Sequence, residues 1–323
     1  MPNLSKRFLR GRPMTLHTTA SLTQIRAELM KTAPNLQSVR RGWGSINEDP
    51  DILGELMMQP PTSAPELLPA MPGRRPQLLA ARLYWFNALH TGARGGVTAA
   101  PQYRLDGTDI LISHVSGSEY LLVVSTHTPG DIDNKVIPEL KKAIMGVDAN
   151  VIINSQSSSI GVGDGDFFLW AVKRRFAAET LGANIELDDF DYVKTHDPLS
   201  YQTDIARGVK PDRPELLTLL AKELMVFGPA KFSLNDTSIG FSCELTLEAD
   251  GSFDIPPRAI SYTGANFASI PEMRLTAVTD LIFTVLPAMK AAWLGDASWQ
   301  RGTGRTQFRA EMKRAASALV ATL

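Results

Sequence analysis

The sequence predicts an α+β (mixed α/β) fold: a central, mostly antiparallel sheet with flanking helices, preceded by a helical, proline-rich N-terminal region. Three observations predict it. Apolar runs separated by Asp-Gly and Gly-Ser turn signals lie between residues 102 and 127 and again between 239 and 255, as hairpins require. Segments with helical apolar spacing are interspersed with them and follow them, without the strict alternation of a parallel α/β fold. Seven prolines, at 50, 60, 61, 65, 69, 72 and 76, bar long regular elements from the stretch between Trp43 and Pro76.

In chain order, residues 1 to 13 read as a loose arm, and residues 21 to 33 as a short amphipathic helix with Ser21 as N-cap and Leu22, Ile25, Leu29 and Met30 on its apolar side. The proline-rich stretch reads as a linker. "QLLAARLYWFNALH" (77 to 90) reads as a strongly apolar helix ended by the glycines of "TGARGG". Residues 102 to 127 read as three strands turning at Asp106-Gly107 and Gly117-Ser118, and 134 to 146 as a helix closed by Gly146. "ANVIINSQ" is a strand, 167 to 182 a helix behind Asp166 as N-cap, and 184 to 193 a strand. A helix from Asp212 to Phe227 is stopped by Gly228-Pro229. "IGFSCELTLEADGSFDI" alternates as a hairpin with one wet face, and the C-terminal region is helical. No internal repeat is evident. The expected organisation is a basic N-terminal arm with helices and proline-rich linker over 1–95, and an α+β core domain with C-terminal helices over 96–323.

With 44% hydrophobic and 21% charged residues the chain is ordinary globular material. Its longest apolar run, "LIFTVLPAM", is about half the roughly 20 residues needed to cross a bilayer, so no membrane contact is expected. Cys243 is the only cysteine, which excludes an internal disulfide and fits a reducing compartment. No apolar segment follows Lys6 and Arg7, so the expected location is cytoplasmic, with an Arg-rich organellar presequence as the alternative.

The net charge of −1 conceals an uneven distribution. Residues 1 to 47 carry eight Lys and Arg against Glu28 alone, and residues 290 to 323 carry six against Asp296 and Glu311. Basic ends around an acidic middle suit phosphate contact, since Lys and Arg release counterions on neutralising a nucleic-acid backbone. The candidate contacts are Arg10, Arg12, Arg40 and Arg41, the triplet Lys173, Arg174 and Arg175, and Arg305 and Arg309 near the C-terminus. The competing reading folds these cations onto the chain's own acids or a second copy.

Gly161-x-Gly163-x-Gly165 follows a strand and opens a helix, the setting of a phosphate loop. Its spacing departs from a dinucleotide fingerprint, and Asp164 and Asp166 put negative charge where phosphate would sit. There are three Asp-x-Asp pairs, Asp131/Asp133, Asp164/Asp166 and Asp189/Asp191. On a strand such a pair presents two carboxylates from one face, enough to hold Mg²⁺, but only 131/133 and 189/191 have the apolar residue between that a strand pair should, and Asp131 or Asp133 equally reads as the cap of the helix near Lys135. Asp109 begins well as a metal-dependent nuclease strand, but the following strand has no Glu-x-Lys. The five histidines are scattered and give no zinc spacing.

Gly117-Ser118, twelve residues, then Asp131-Ile132-Asp133 is similar to the nucleotidyltransferase pattern of the polymerase-β-like superfamily. The resemblance implies a triphosphate held at Gly117 and Ser118, metals held by Asp131 and Asp133, and a third carboxylate from Asp166, Asp189 or Asp191. It departs from that pattern in having strand-like "EYLLVVST" where the family has a helix.

The leading expectation is a non-catalytic nucleic-acid-binding or accessory subunit of a cytoplasmic complex, without an organic cofactor and with a protein partner or a second copy of itself. The alternatives are a Mg²⁺-dependent nucleotidyltransferase-like or nuclease-like enzyme using the paired aspartates, and a structural protein–protein interaction subunit.

Overall fold

A computed structural model describes residues 9–48, 52–56, 58–89, 102–163, 165–196, 202–206, 213–222 and 225–321. The expected arm residues 1 to 8, the glycines of "TGARGG", Asp164 and the Asp212 N-cap lie outside them. The fold is mixed α+β, built as two compact units, 1–159 and 160–323.

Unit 1 holds β1 (Leu9–His17), α1 (Leu22–Met30), β2 (Gly42–Gly44), β3 (Glu66–Leu68), β4 (Leu78–Leu89), β5 (Gln102–Ser116), β6 (Glu119–Val124), α2 (Pro129–Asp131), a π-turn (Ile132–Val136), α3 (Ile137–Ile144) and β7 (Ile152–Asn154). Its antiparallel sheet runs β2-β4-β5-β6-β1, with β3 also on β4 and β7 also on β1. Leu79, Ala81, Leu83 and Trp85 of β4, with Ile110, Ile112, Leu122 and Val124, meet Ile25 and Leu29 of α1 and Leu140 and Ile144 of α3 in one core.

Three expectations are corrected here. Within the expected helix 77 to 90, Leu78–Leu89 form a strand: an unbroken apolar run is equally that of a strand buried on both faces, and Leu78 to Trp85 are all buried. The arm's residues 9 to 13 belong to β1, because Met14 and Leu16 anchor the strand in the core and β6 pairs it from Arg12 to His17. Asp106-Gly107 is not a turn: β5 runs through it, Gly107 pairs with Tyr84, and a Cβ at Gly107 would lie 2.9 Å from the Leu83 carbonyl oxygen. The β4/β5 pairing also spans the expected 95/96 boundary.

Unit 2 holds α4 (Asp166–Phe176), β8 (Ile185–His196), β9 (Gln202–Ala206), α5 (Pro214–Ala221), β10 (Val226–Asp236), β11 (Phe241–Leu247), β12 (Phe253–Ile255), β13 (Ser261–Tyr262), α6 (Ile270–Asp280), a second π-turn (Leu281–Val285), α7 (Leu286–Gly295), α8 (Ala297–Gln300) and α9 (Thr303–Val320). Its sheet runs β12-β11-β10-β8-β9, antiparallel throughout, with β13 on β11. The expected hairpin is present, with Phe241, Cys243, Leu245 and Leu247 buried and the residues between them half-buried. Gly228-Pro229 does not stop a long helix. α5 ends at Ala221, and the dipeptide lies inside β10, where the pairing with β8 shifts register.

The segment "LIFTVLPAM" becomes part of one continuous helical stretch, Ile270–Gly295, of 26 residues. By length and composition it is apolar enough to cross a membrane, and half of its most apolar window is buried within the protein.

The two units do share a repeat. Asp-x4-Val-x-Pro-x2-Lys-x-Ala-x2-Gly reads from Asp131 to Gly146 and again from Asp280 to Gly295. Both copies follow a meander of strands, β4-β5-β6 and β10-β11-β12, and both place a π-turn just before the proline, Pro138 or Pro287. Proline lacks an N–H and its ring clashes with the carbonyl four residues back; one extra residue in the preceding turn relieves both problems. Six identities scattered through sixteen positions are too dilute to stand out before the matching π-turns align them.

Candidate functional site

The helix α9 carries Arg305, Arg309, Lys313 and Arg314 against Glu311 alone. Arg305, Arg309 and Lys313 recur every four residues, so they share one face, about 6 Å apart along the axis. With Thr306, Ala310 and Ala221 of α5 they line one groove of about 450 Å³. Two alanines in the lining keep it open between the long cations. The helix is seated by its buried Phe308, whose ring meets Phe176 at 6.2 Å and Trp299 at 6.4 Å. Asp166 fixes the N-terminal end of the groove: its carboxylate accepts from the Trp299 indole at 2.8 Å and from Arg305 at 2.8 Å. Asp166 is thus the first helical residue of α4, and the N-cap is Gly165.

The structure places Arg305 and Arg309 on one face of α9 together with Lys313, which the sequence reading omits; Arg305 is ion-paired with Asp166, and Arg309 donates to the Met225 carbonyl at 3.5 Å. The other candidate cations also have partners within the chain. Lys173 and Arg174 on α4 both bind Glu179, at 3.0 Å and 2.5 Å, and that carboxyl is held below its ordinary range, first by the Arg174 hydrogen bond. Arg175 donates to the Asp188 carbonyl and lies in a hollow with Glu179, Glu186 and Asp188. The triplet is therefore a face paired with the chain's own acids. In unit 1, Arg40 donates to the Ala33 carbonyl, and Arg41 to the Asn134 carbonyl at 3.1 Å, with Glu139 at 3.9 Å. Arg10 and Arg12 are half-buried within β1, not on a free arm.

The glycine stretch does not present a phosphate cradle. The N–H groups of Val162 and Gly163, which such a loop would aim at an anion, both donate to the Ala249 carbonyl, at 2.9 and 3.0 Å. Gly161 packs against Gly251, and Gly165 is required because a Cβ there would come within 2.4 Å of the Phe227 carbonyl oxygen. Gly117 and Ser118 form the β5/β6 hairpin turn, and β6 is a strand where the nucleotidyltransferase pattern has a helix.

Asp164 lies outside the described residues, and the other two aspartate pairs do not gather metal ligands among the described residues. Asp131 and Asp133 sit on helical turns, where positions two apart point to opposite sides, and Asp131 is ion-paired with Lys135 at 2.5 Å. In β8 the pairing with β10 shifts register beside Asp189 and Asp191, so the pair loses the common face that even alternation would supply. Asp189 accepts its neighbour's N–H and Asp191 is bound by Lys231 at 2.8 Å. Among the described residues no three His, Cys, Asp or Glu side chains gather as metal ligands.

No protein-family model matches this chain, and no curated protein does. The residues themselves therefore carry the functional reading.

Proposed function

We propose that the protein is a non-catalytic nucleic-acid-binding or accessory subunit of a cytoplasmic complex, and that it contacts phosphates along the α9 groove. The observation that carries this reading is the row Arg305, Arg309 and Lys313 on one open face. Cations repeated at each helical turn suit successive phosphates of a strand laid along the helix, and Thr306 adds a hydroxyl on the same lining. The small alanines leave room for a backbone, and among the described residues no large apolar side chain lines the groove to stack or read a base. Such a surface positions nucleic acid with little preference for sequence.

The test is fluorescence-anisotropy titration of the full chain with labelled single- and double-stranded DNA and RNA over a series of salt concentrations. Supporting behaviour is micromolar or tighter binding whose log affinity falls linearly with log salt, with a slope that flattens when Arg309→Gln and Lys313→Gln are combined. Absence of binding at low salt ends the proposal.

A further inference from the structure

A second cavity lies wholly in unit 1, where β4 and β5 meet the π-turn. It measures about 370 Å³, within the usual size of a small-molecule site, and is lined by Trp85, Asn87, Arg104, Asp106, Gly107, Thr108, Thr126, Asp131 and Lys135. Most such sites are chiefly apolar, whereas this lining is dominated by hydrogen-bonding groups.

Its charges are already matched. Lys135 binds Asp131 at 2.5 Å, and Arg104 binds Asp106 at 2.9 Å. Asn87 also donates to Asp106, and the Lys135 ammonium lies 4.2 Å from the Trp85 ring centroid. An anion or a cation entering here would have to break an ion pair. A neutral group that both donates and accepts would not, because the lining holds both carboxylates, Asp106 and Asp131, and N–H donors, Asn87, Arg104 and Lys135. The indole N–H of Trp85, a residue 4% exposed, is closed to solvent and has no hydrogen-bond acceptor among the described residues, so a ligand oxygen reaches it only with a side-chain shift. Buried indole N–H groups ordinarily have an acceptor.

The repeat sharpens the argument. In unit 2 the position matching Asp131 is Asp280, which is 1% exposed and accepts the Tyr262 hydroxyl at 2.7 Å, and the position matching Lys135 is Thr284. The helix–π-turn–helix unit therefore forms with that carboxylate buried and without the lysine, so the charged version in unit 1 is not a requirement of the fold. π-turns inside helices recur at functional sites, and here the turn carries Lys135 over Trp85.

We infer that the cavity bounded by Trp85, Asp106, Asp131 and Lys135 binds a neutral, hydroxyl-rich small molecule of the monosaccharide or cyclic-polyol class. Its hydroxyls accept from the Trp85 indole and donate to the Asp106 and Asp131 carboxylates, leaving both ion pairs in place. This site is independent of the α9 groove.

Saturation-transfer NMR of the full chain tests it, with a panel of neutral monosaccharides, inositol, amino acids and nucleoside monophosphates. The expected result is saturable millimolar or tighter binding of at least one neutral polyol, weakened about tenfold in Trp85→Phe and in Asp106→Asn. Trp85→Phe keeps the ring beneath Lys135 and removes only the N–H, so an unchanged circular-dichroism melt separates loss of the donor from loss of the fold. Asp106→Asn, at a residue with a partly exposed side chain, serves where the aromatic variant melts early. The inference is overturned if no neutral polyol saturates, if an amino acid or nucleotide binds in its place, or if polyol binding is unaffected in both variants.

Discussion

Arg82 and Asp109 form a two-pronged ion pair sealed inside unit 1: Nε donates to Oδ1 at 2.5 Å and Nη2 to Oδ2 at 3.2 Å, with side chains 0% and 1% exposed. They face each other across β4 and β5, where Arg82 pairs in register with Asp109. Burial alone would drive Arg82 toward neutrality, but the Asp109 charge and hydrogen bonds outweigh it and raise the guanidinium pKa further. Asp109 is thus committed to Arg82, which is why the strand that begins like a nuclease metal site serves as structure. Breaking such a pair strands a buried charge. Asp109→Ala is expected to cost about 3–5 kcal/mol in urea unfolding, and the double variant Arg82→Met, Asp109→Leu to recover most of that loss.

Asp148 supplies a pH dependence. Its carboxylate accepts from the Thr19 N–H at 2.7 Å, from the Thr18 and Thr19 hydroxyls, and from the Asn150 N–H, and these hydrogen bonds, the Thr19 N–H first, hold it down to about 2. Because the folded carboxyl binds its proton less readily than the unfolded one, the stabilisation is complete above the ordinary carboxylate value of about 4 and is lost as pH falls toward 2. Thermal melts between pH 6 and pH 2 should therefore show a shallower acid slope in Asp148→Asn than in the parent chain. Equal slopes would remove Asp148 from the explanation.

Cys243 lies on the buried face of β11, and burial pushes its thiol pKa up. A thiol-specific chromogenic reagent should react negligibly with the native protein and fully in denaturant, since the thiolate is the reactive form. Rapid native labelling would contradict the packing of that strand.

Two glycines in the opening of α4 should respond differently to alanine. Gly165→Ala drives a Cβ into the Phe227 backbone at 2.4 Å and should destabilise unit 2 strongly. Gly163 has φ +88° but open space around it, so Gly163→Ala should cost only about 1–2 kcal/mol, the strain of the left-handed backbone. Chemical denaturation of the two variants separates steric from conformational demand.

The cations of α4 and the pair Arg309 and Lys313 on α9 can be compared directly. If phosphates bind in the α9 groove, Lys173→Gln with Arg174→Gln should leave nucleic-acid affinity within about twofold of the parent, since both cations are spent on Glu179. Arg309→Gln with Lys313→Gln should weaken it at least about tenfold at low salt. The reverse order in anisotropy titrations would move the contact surface to α4.

What the sequence by itself determined is the local chemistry that depends on near neighbours. The Gly117-Ser118 turn, the two-residue alternation of β11 and the Ser21 cap of α1 are all short-range patterns, and each is present. The α+β class followed from them. What only the tertiary structure decided is whatever depends on a distant partner. Leu78 to Leu89 became a strand because a run apolar on every side is satisfied equally by a helix or by a strand covered on both faces, and β5 made the choice. Arg82 found Asp109, Lys173 and Arg174 found Glu179, and the N–H groups of the glycine stretch found the Ala249 carbonyl. A charge or a glycine has the same appearance in sequence whether it faces solvent, a ligand or its own chain, because what it does is set by electrostatic and steric partners that folding brings near.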